Sequence, residues 1–161
     1  MAWKPRQMPA EGAQAPDFKL QDLNGQPQSL KEMLARGPVL LAFYKASCPV
    51  CQMTFPYLER LYQGGKTGLQ FVAISQDDAA TARRFNKEYG ITFPTLIDDK
   101  AYTASNAYGL DTVPSLFLVE ADGAVSMSWT GFSKKDLEAL GRRLSVAPFR
   151  EGERVPEYRP G

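Results

Sequence analysis

The chain contains no histidine. This removes His-based triads, imidazole metal ligands and a histidine proton switch together. Proton chemistry near neutral pH then falls to a cysteine, a carboxylate or a lysine with a shifted pKa. There are only two cysteines, and they stand three positions apart, at Cys48 and Cys51. A small secreted domain held by disulfides carries more of them, spread along its length. A loop this short would stabilise a fold little in the chain-entropy model, so the pair reads as chemistry and not as a staple. Charge of one sign is not in excess: the net charge is +1, which argues for neither nucleic acid nor an anionic membrane as partner. Residues 1–18 hold charges and prolines but no apolar run, so neither a signal peptide nor a membrane anchor is expected there. The expected setting is cytoplasmic, or exported if a leader has been removed.

What is present suits one ordinary domain. The chain has 161 residues; 43% are hydrophobic, enough for a single core, and 23% are charged, an ordinary share that does not point to wholesale disorder. Residues 1–15 read as an extended arm, 16–146 as the domain and 147–161 as an extended tail, rich in proline and charge and expected to be draped or disordered. Residues 17–21 alternate as a strand, Asn24-Gly25 marks a tight turn, and 26–28 would return. Ser29 caps a short helix over 30–35, with Glu32 completing a capping box. The continuous apolar run Val39–Tyr44 predicts a central strand covered on both faces. Residues 49–63 predict a helix with Phe55, Leu58 and Tyr62 on one face and a kink at Pro56.

A second buried strand is expected at 69–75. Asp78 then caps a helix that buries Ala82, Phe85 and Tyr89 and stops at Gly90. A short strand at 95–97, a short helix at 101–108 and a hairpin, 115–119 with 125–129 around Asp122-Gly123, follow. Ser133 caps the last helix, with Leu137, Leu140 and Leu144 inward. Phe43, Tyr44, Phe93, Phe117 and Trp129 read as packing residues. Trp3 is either a docking residue or incidental. Gly64-Gly65-Lys66-Thr67 lacks the upstream glycine of a phosphate loop and carries no weight. This element order predicts a three-layer α/β sandwich with a mixed central sheet.

Cys48 ends the loop after the central strand, and Pro49 suits the first turn of a helix. The sulfur would sit at the positive helix end, where unpaired amides and the dipole favour a negative sulfur. Cys51 lies on the same helix face one turn deeper. One sulfur attacks a disulfide and the other resolves the mixed disulfide. A zinc site needs about four ligands, and two thiols without histidine fall short of it. Two inert buried cysteines are the other plain reading. No metal and no cofactor are expected.

Three segments, Gly12-Ala13-Gln14-Ala15-Pro16-Asp17-Phe18, Asn24-Gly25 and Val39–Tyr44, resemble the redoxin group. This group comprises peroxiredoxins of the alkyl hydroperoxide reductase/thiol-specific antioxidant family and thioredoxin-like thiol-disulfide reductases. The resemblance covers about residues 11–146, by element order. It implies a thioredoxin-like fold with an N-terminal β-hairpin extension and a helical insertion. Thr112-Val113-Pro114-Ser115 resembles the family's cis-proline loop, which faces the two cysteines. Cys48 and Cys51 are then catalytic, and Pro49, Val50, Thr112, Val113 and Pro114 would meet the substrate. A cis Val113–Pro114 bond would leave the Val113 main chain free to pair with an extended peptide.

Two branches of the family divide on single residues. The peroxidase branch carries a Thr three residues before its reactive cysteine; aligned on Cys51, that position holds Cys48. The same branch places an Arg near the cis-proline, where this chain has Val113 and Pro114. These departures favour the reductase branch, with a protein disulfide as substrate and an upstream dithiol as reductant. A hydroperoxide is the alternative substrate, and an interaction module with idle cysteines is the second alternative. The chain also departs from the reductases, with Ala42 and Thr54 where acids are customary and Ser47 where a Trp is common. Lys45 is the nearest charge in sequence and could favour a thiolate, or be a solvated loop lysine. A monomer or weak dimer is expected.

Overall fold

The computed structural model describes residues 7–65 and 68–161. Trp3, Lys66 and Thr67 lie outside the described residues. Lys19–Asp22 (β1) turns back into Pro27–Ser29 (β2). At the turn, Gly25 takes the left-handed conformation, and the Asp22 carboxylate accepts the Asn24 amide at 2.8 Å. The return strand starts and ends one residue later than the pattern suggested. Leu30–Leu34 (α1) follows, its first turn capped by Ser29 Oγ, which accepts the Glu32 N–H at 3.1 Å.

The centre is built from Val39–Tyr44 (β3), Pro49–Gly64 (α2), Gln70–Ser75 (β4), Ala79–Tyr89 (α3) and Thr95–Ile97 (β5). β3, β4 and β5 run parallel. Thr103–Ala107 (α4) leads to the antiparallel pair Ser115–Val119 (β6) and Val125–Thr130 (β7). Phe132–Ser133 (β8), Lys134–Leu144 (α5) and Tyr158–Arg159 (β9) complete the chain. The seven-stranded sheet has the order β2-β1-β5-β4-β3-β6-β7. α4 is shorter than expected, because Lys100 and Tyr102 adopt left-handed backbone before it.

Alternate residues of β3 supply opposite layers, as the pleat requires. Leu40, Ala42 and Tyr44 meet Phe55, Leu58 and Leu61 of α2, Phe85 of α3 and Leu137 and Leu140 of α5. Val39, Leu41 and Phe43 meet Leu30 and Met33 of α1 and Ala104 of α4, with Tyr108 beside them. The sheet is thus covered on both faces, which explains why β3 is apolar throughout. α2 continues through Pro56, which is exposed. The missing N–H there deprives only the Gln52 carbonyl of a helical partner, at a face open to water.

Of the two expectations for the tail, draped or disordered, the structure shows the draped one. Phe149 packs edge-on against Tyr57, with ring centroids 5.1 Å apart, and lies 6.3 Å from Phe132. Arg60 makes a paired contact with Glu153, at 2.6 and 3.1 Å, and also holds the Pro148 carbonyl at 2.8 Å. β9 then pairs antiparallel with β8. The arm is likewise pinned at its inner end, where Gly12 N–H reaches the Val125 carbonyl at 2.7 Å and Ala13 accepts from Val125 at 2.9 Å.

Candidate active site

β3 ends at Tyr44, and a three-residue loop carries the chain to Cys48. Two side chains set that loop. Asp77 Oδ2 accepts the Ala46 N–H at 2.7 Å, and Gln52 Nε2 donates to the Ala46 carbonyl at 2.8 Å. Cys48 N–H closes the turn onto the Lys45 carbonyl at 3.1 Å. Cys48 is thereby the N-cap of α2, with Pro49 in the first turn, where its missing amide costs nothing.

The Cys48 sulfur does what a capping oxygen does elsewhere. It accepts the Cys51 N–H at 3.2 Å, one of the otherwise unpaired amides of the helix end. The same sulfur lies 3.4 Å from the Val113 carbonyl, to which its thiol donates. Cys48 is half-buried, whereas Cys51 has no exposed surface. Burial pushes the Cys51 thiol far above the usual thiol range, and the hydrogen bond with Cys48 adds to the push. The Lys45 main chain opposes it; the nearby Asp77 charge raises it further.

The Val113–Pro114 peptide is cis. Pro114 is buried, Thr112 and Val113 are half-buried, and Pro49 is exposed beside half-buried Val50. A cavity of about 500 Å³ opens between Cys48, Pro49, Gln76, Asp111, Thr112 and Val113, and Gly161 of the tail forms part of its wall. The structure therefore brings Cys48, Pro49, Thr112 and Val113 to one opening, with Cys51 behind them. Lys45 is exposed, and it is its main chain, not its ammonium group, that bears on Cys51. Thr54 is fully buried and its hydroxyl is spent on the Val50 carbonyl at 2.7 Å. No group of three or more Cys, Asp or Glu suited to a metal occurs among the described residues.

Sequence reasoning missed Asp77, Gln52 and Gly161. Asp77 follows the end of a parallel strand next to β3, the edge at which open α/β sheets gather their ligands. That placement was the available signal.

A seven-stranded mixed sheet between helical layers, with two neighbouring cysteines at the strand-to-helix turn and a cis-proline loop beside them, defines a thioredoxin-like protein. The AhpC/TSA family model matches residues 12–128, and the chain belongs to that family. The thiol-disulfide oxidoreductase ResA of Halalkalibacterium halodurans is 34% identical over 128 residues, which cover 78% of this chain and 72% of that protein. A Chlorobium tepidum structure assigned as a thiol:disulfide interchange protein DsbE is 27% identical with a TM-score of 0.72, covering 88% of this chain and 99% of that one. The peroxidoxin BcpB of Mycobacterium tuberculosis is 25% identical with a TM-score of 0.71, covering 85% and 98%. The chain is an oxidoreductase of the thiol-disulfide class.

Proposed function

We propose that this chain reduces protein disulfides with Cys48 as nucleophile and Cys51 as resolving thiol. One observation supports this above the others: the Cys48 sulfur caps α2 and borders an open cavity, while Cys51 sits fully buried one turn behind it. The helix end favours negative charge on the exposed sulfur. Attack by the Cys48 thiolate on a substrate disulfide forms a mixed disulfide and expels one substrate sulfur as a thiolate. Cys51, once deprotonated, attacks the Cys48 sulfur, releases the second substrate thiolate and leaves a Cys48–Cys51 disulfide. An upstream dithiol returns that disulfide to the reduced pair. Thr112, Val113 and Pro114, with Pro49 and Val50, form the surface an extended substrate would meet.

The peroxidase reading has one observation in its favour, the likeness to the peroxidoxin BcpB. Against it stand Cys48 at the position of the activating Thr and Pro114 without a neighbouring Arg. Insulin-disulfide reduction and peroxide consumption, measured side by side, test the choice. Disulfide reduction that outpaces peroxide turnover supports the proposal; the reverse order overturns it. The cytoplasmic setting is a separate part of the proposal, checked by cell fractionation. No helix among the described residues is long and apolar enough to cross a membrane.

A further inference from the structure

Resolution requires Cys51 to lose a proton that its surroundings hold tightly. Ala42 has no group to take it, and the Thr54 hydroxyl is already bonded to its own helix. The half-buried Asp77 is near enough for its charge to act on the thiol. Its carboxylate holds the Ala46 amide at 2.7 Å, while the adjacent Lys45 main chain faces the Cys51 sulfur. Carboxylate and sulfur thus meet neighbouring peptide units of one loop. Tyr44 stands close by: its buried hydroxyl neighbours the Ser75 side chain and feels the charges of both Asp77 and Cys51. Tyr44 pairs in register with Ser75, whose hydroxyl accepts the Asp77 N–H at 3.0 Å.

We propose that Asp77 accepts the Cys51 proton in the resolving step. As the Cys51 sulfur bonds to Cys48 and the substrate sulfur departs with the electron pair, the proton passes to the Asp77 carboxylate and then to water. The charges balance: two neighbouring anions, which the site resists, are never present together. The groups facing Cys51 are Cys48, Tyr44, Asp77 and the Lys45 main chain.

This inference rests on the reductase reading, and the experiment separates the two. Stopped-flow measurement follows mixed-disulfide formation and its resolution in wild type, Asp77→Asn and Asp77→Glu. Asn keeps an oxygen for the Ala46 amide, so the loop holds. The expected result is resolution slowed about 100-fold in Asp77→Asn, with an unchanged first step, a deficit that shrinks at alkaline pH, and partial rescue by Asp77→Glu. An unchanged resolution rate with a superimposable pH profile overturns the inference. A wild-type chain that forms no mixed disulfide overturns the reductase reading instead.

A different observation carries a second inference. β9 runs along β8 and delivers Gly161 to the cis-proline loop, against the Val113 carbonyl. A Cβ on Gly161 would overlap that carbonyl and stand 2.8 Å from Thr112 Oγ1, so only glycine fits. The tail therefore covers the main-chain group closest to Cys48. We infer that the segment after β9 acts as an internal strap that a protein substrate must displace and a small disulfide need not. Gly161→Ala and removal of residues 157–161 should each raise the rate on a protein disulfide severalfold and leave the rate on hydroxyethyl disulfide within about twofold. Equal rates on the protein substrate, or equal gains on both substrates, would overturn it.

Discussion

The Cys51 amide donates to the Cys48 sulfur across 3.2 Å, so the two thiols are coupled through the first turn of one helix. The outer sulfur has an amide to stabilise charge on it; at the inner one burial and the neighbouring Cys48 outweigh the opposing contact from the Lys45 main chain. This asymmetry is what the proposed division into an attacking Cys48 and a resolving Cys51 rests on.

The inner thiol makes stability depend on pH. Folding raises the Cys51 pKa, so in the reduced protein its contribution is fully present below the unfolded thiol pKa of about 8.5 and is lost above it. Stability should fall by up to about 1.4 kcal/mol per pH unit from there. Burial also raises the Tyr44 and Tyr108 hydroxyls, so the fall should steepen above about pH 10. Urea unfolding of the reduced chain between pH 7 and 11 checks this, and Cys51→Ala should flatten the first part of the decline.

Phe149 fastens the tail by packing on Tyr57 and Phe132. Phe149→Ala should cost about 1–3 kcal/mol, less than a fully buried aromatic because the ring is only partly buried. Protease nicking after residue 146 should become faster while the domain stays folded by circular dichroism.

Gly131 has a left-handed backbone, φ 76°, and the Arg159 carbonyl lies where its Cβ would be. Gly131→Ala should separate β9 from β8 in addition to its backbone strain, at about 1–2 kcal/mol together. Hydrogen exchange at Arg159 and Lys134 reports the loss of pairing.

The central strands were legible because their chemistry is local. Val39–Tyr44 is apolar at every position, and Ser29, Asp78 and Ser133 each cap a helix through the residue three places on. The cysteine pair was legible for the same reason, since a capping position and a deeper position follow from helix period alone. Where the tail docks was not, because Phe149, Glu153 and Gly161 find their partners at Tyr57, Arg60 and Val113, far away in sequence. Asp77 was hidden similarly: its contact with the loop before Cys48 depends on the parallel register of β3 and β4, which pairs Tyr44 with Ser75.

Cysteine variants test the division of roles most directly. Cys51→Ser and Cys48→Ser are each incubated with reduced-and-mixed insulin disulfides, and covalent adducts are counted by intact mass. The account predicts that Cys51→Ser accumulates a mixed disulfide through Cys48, while Cys48→Ser accumulates none. Peroxide oxidation of Cys51 to a sulfenic acid with Cys48 unmodified, and adducts only on Cys48→Ser, would contradict it.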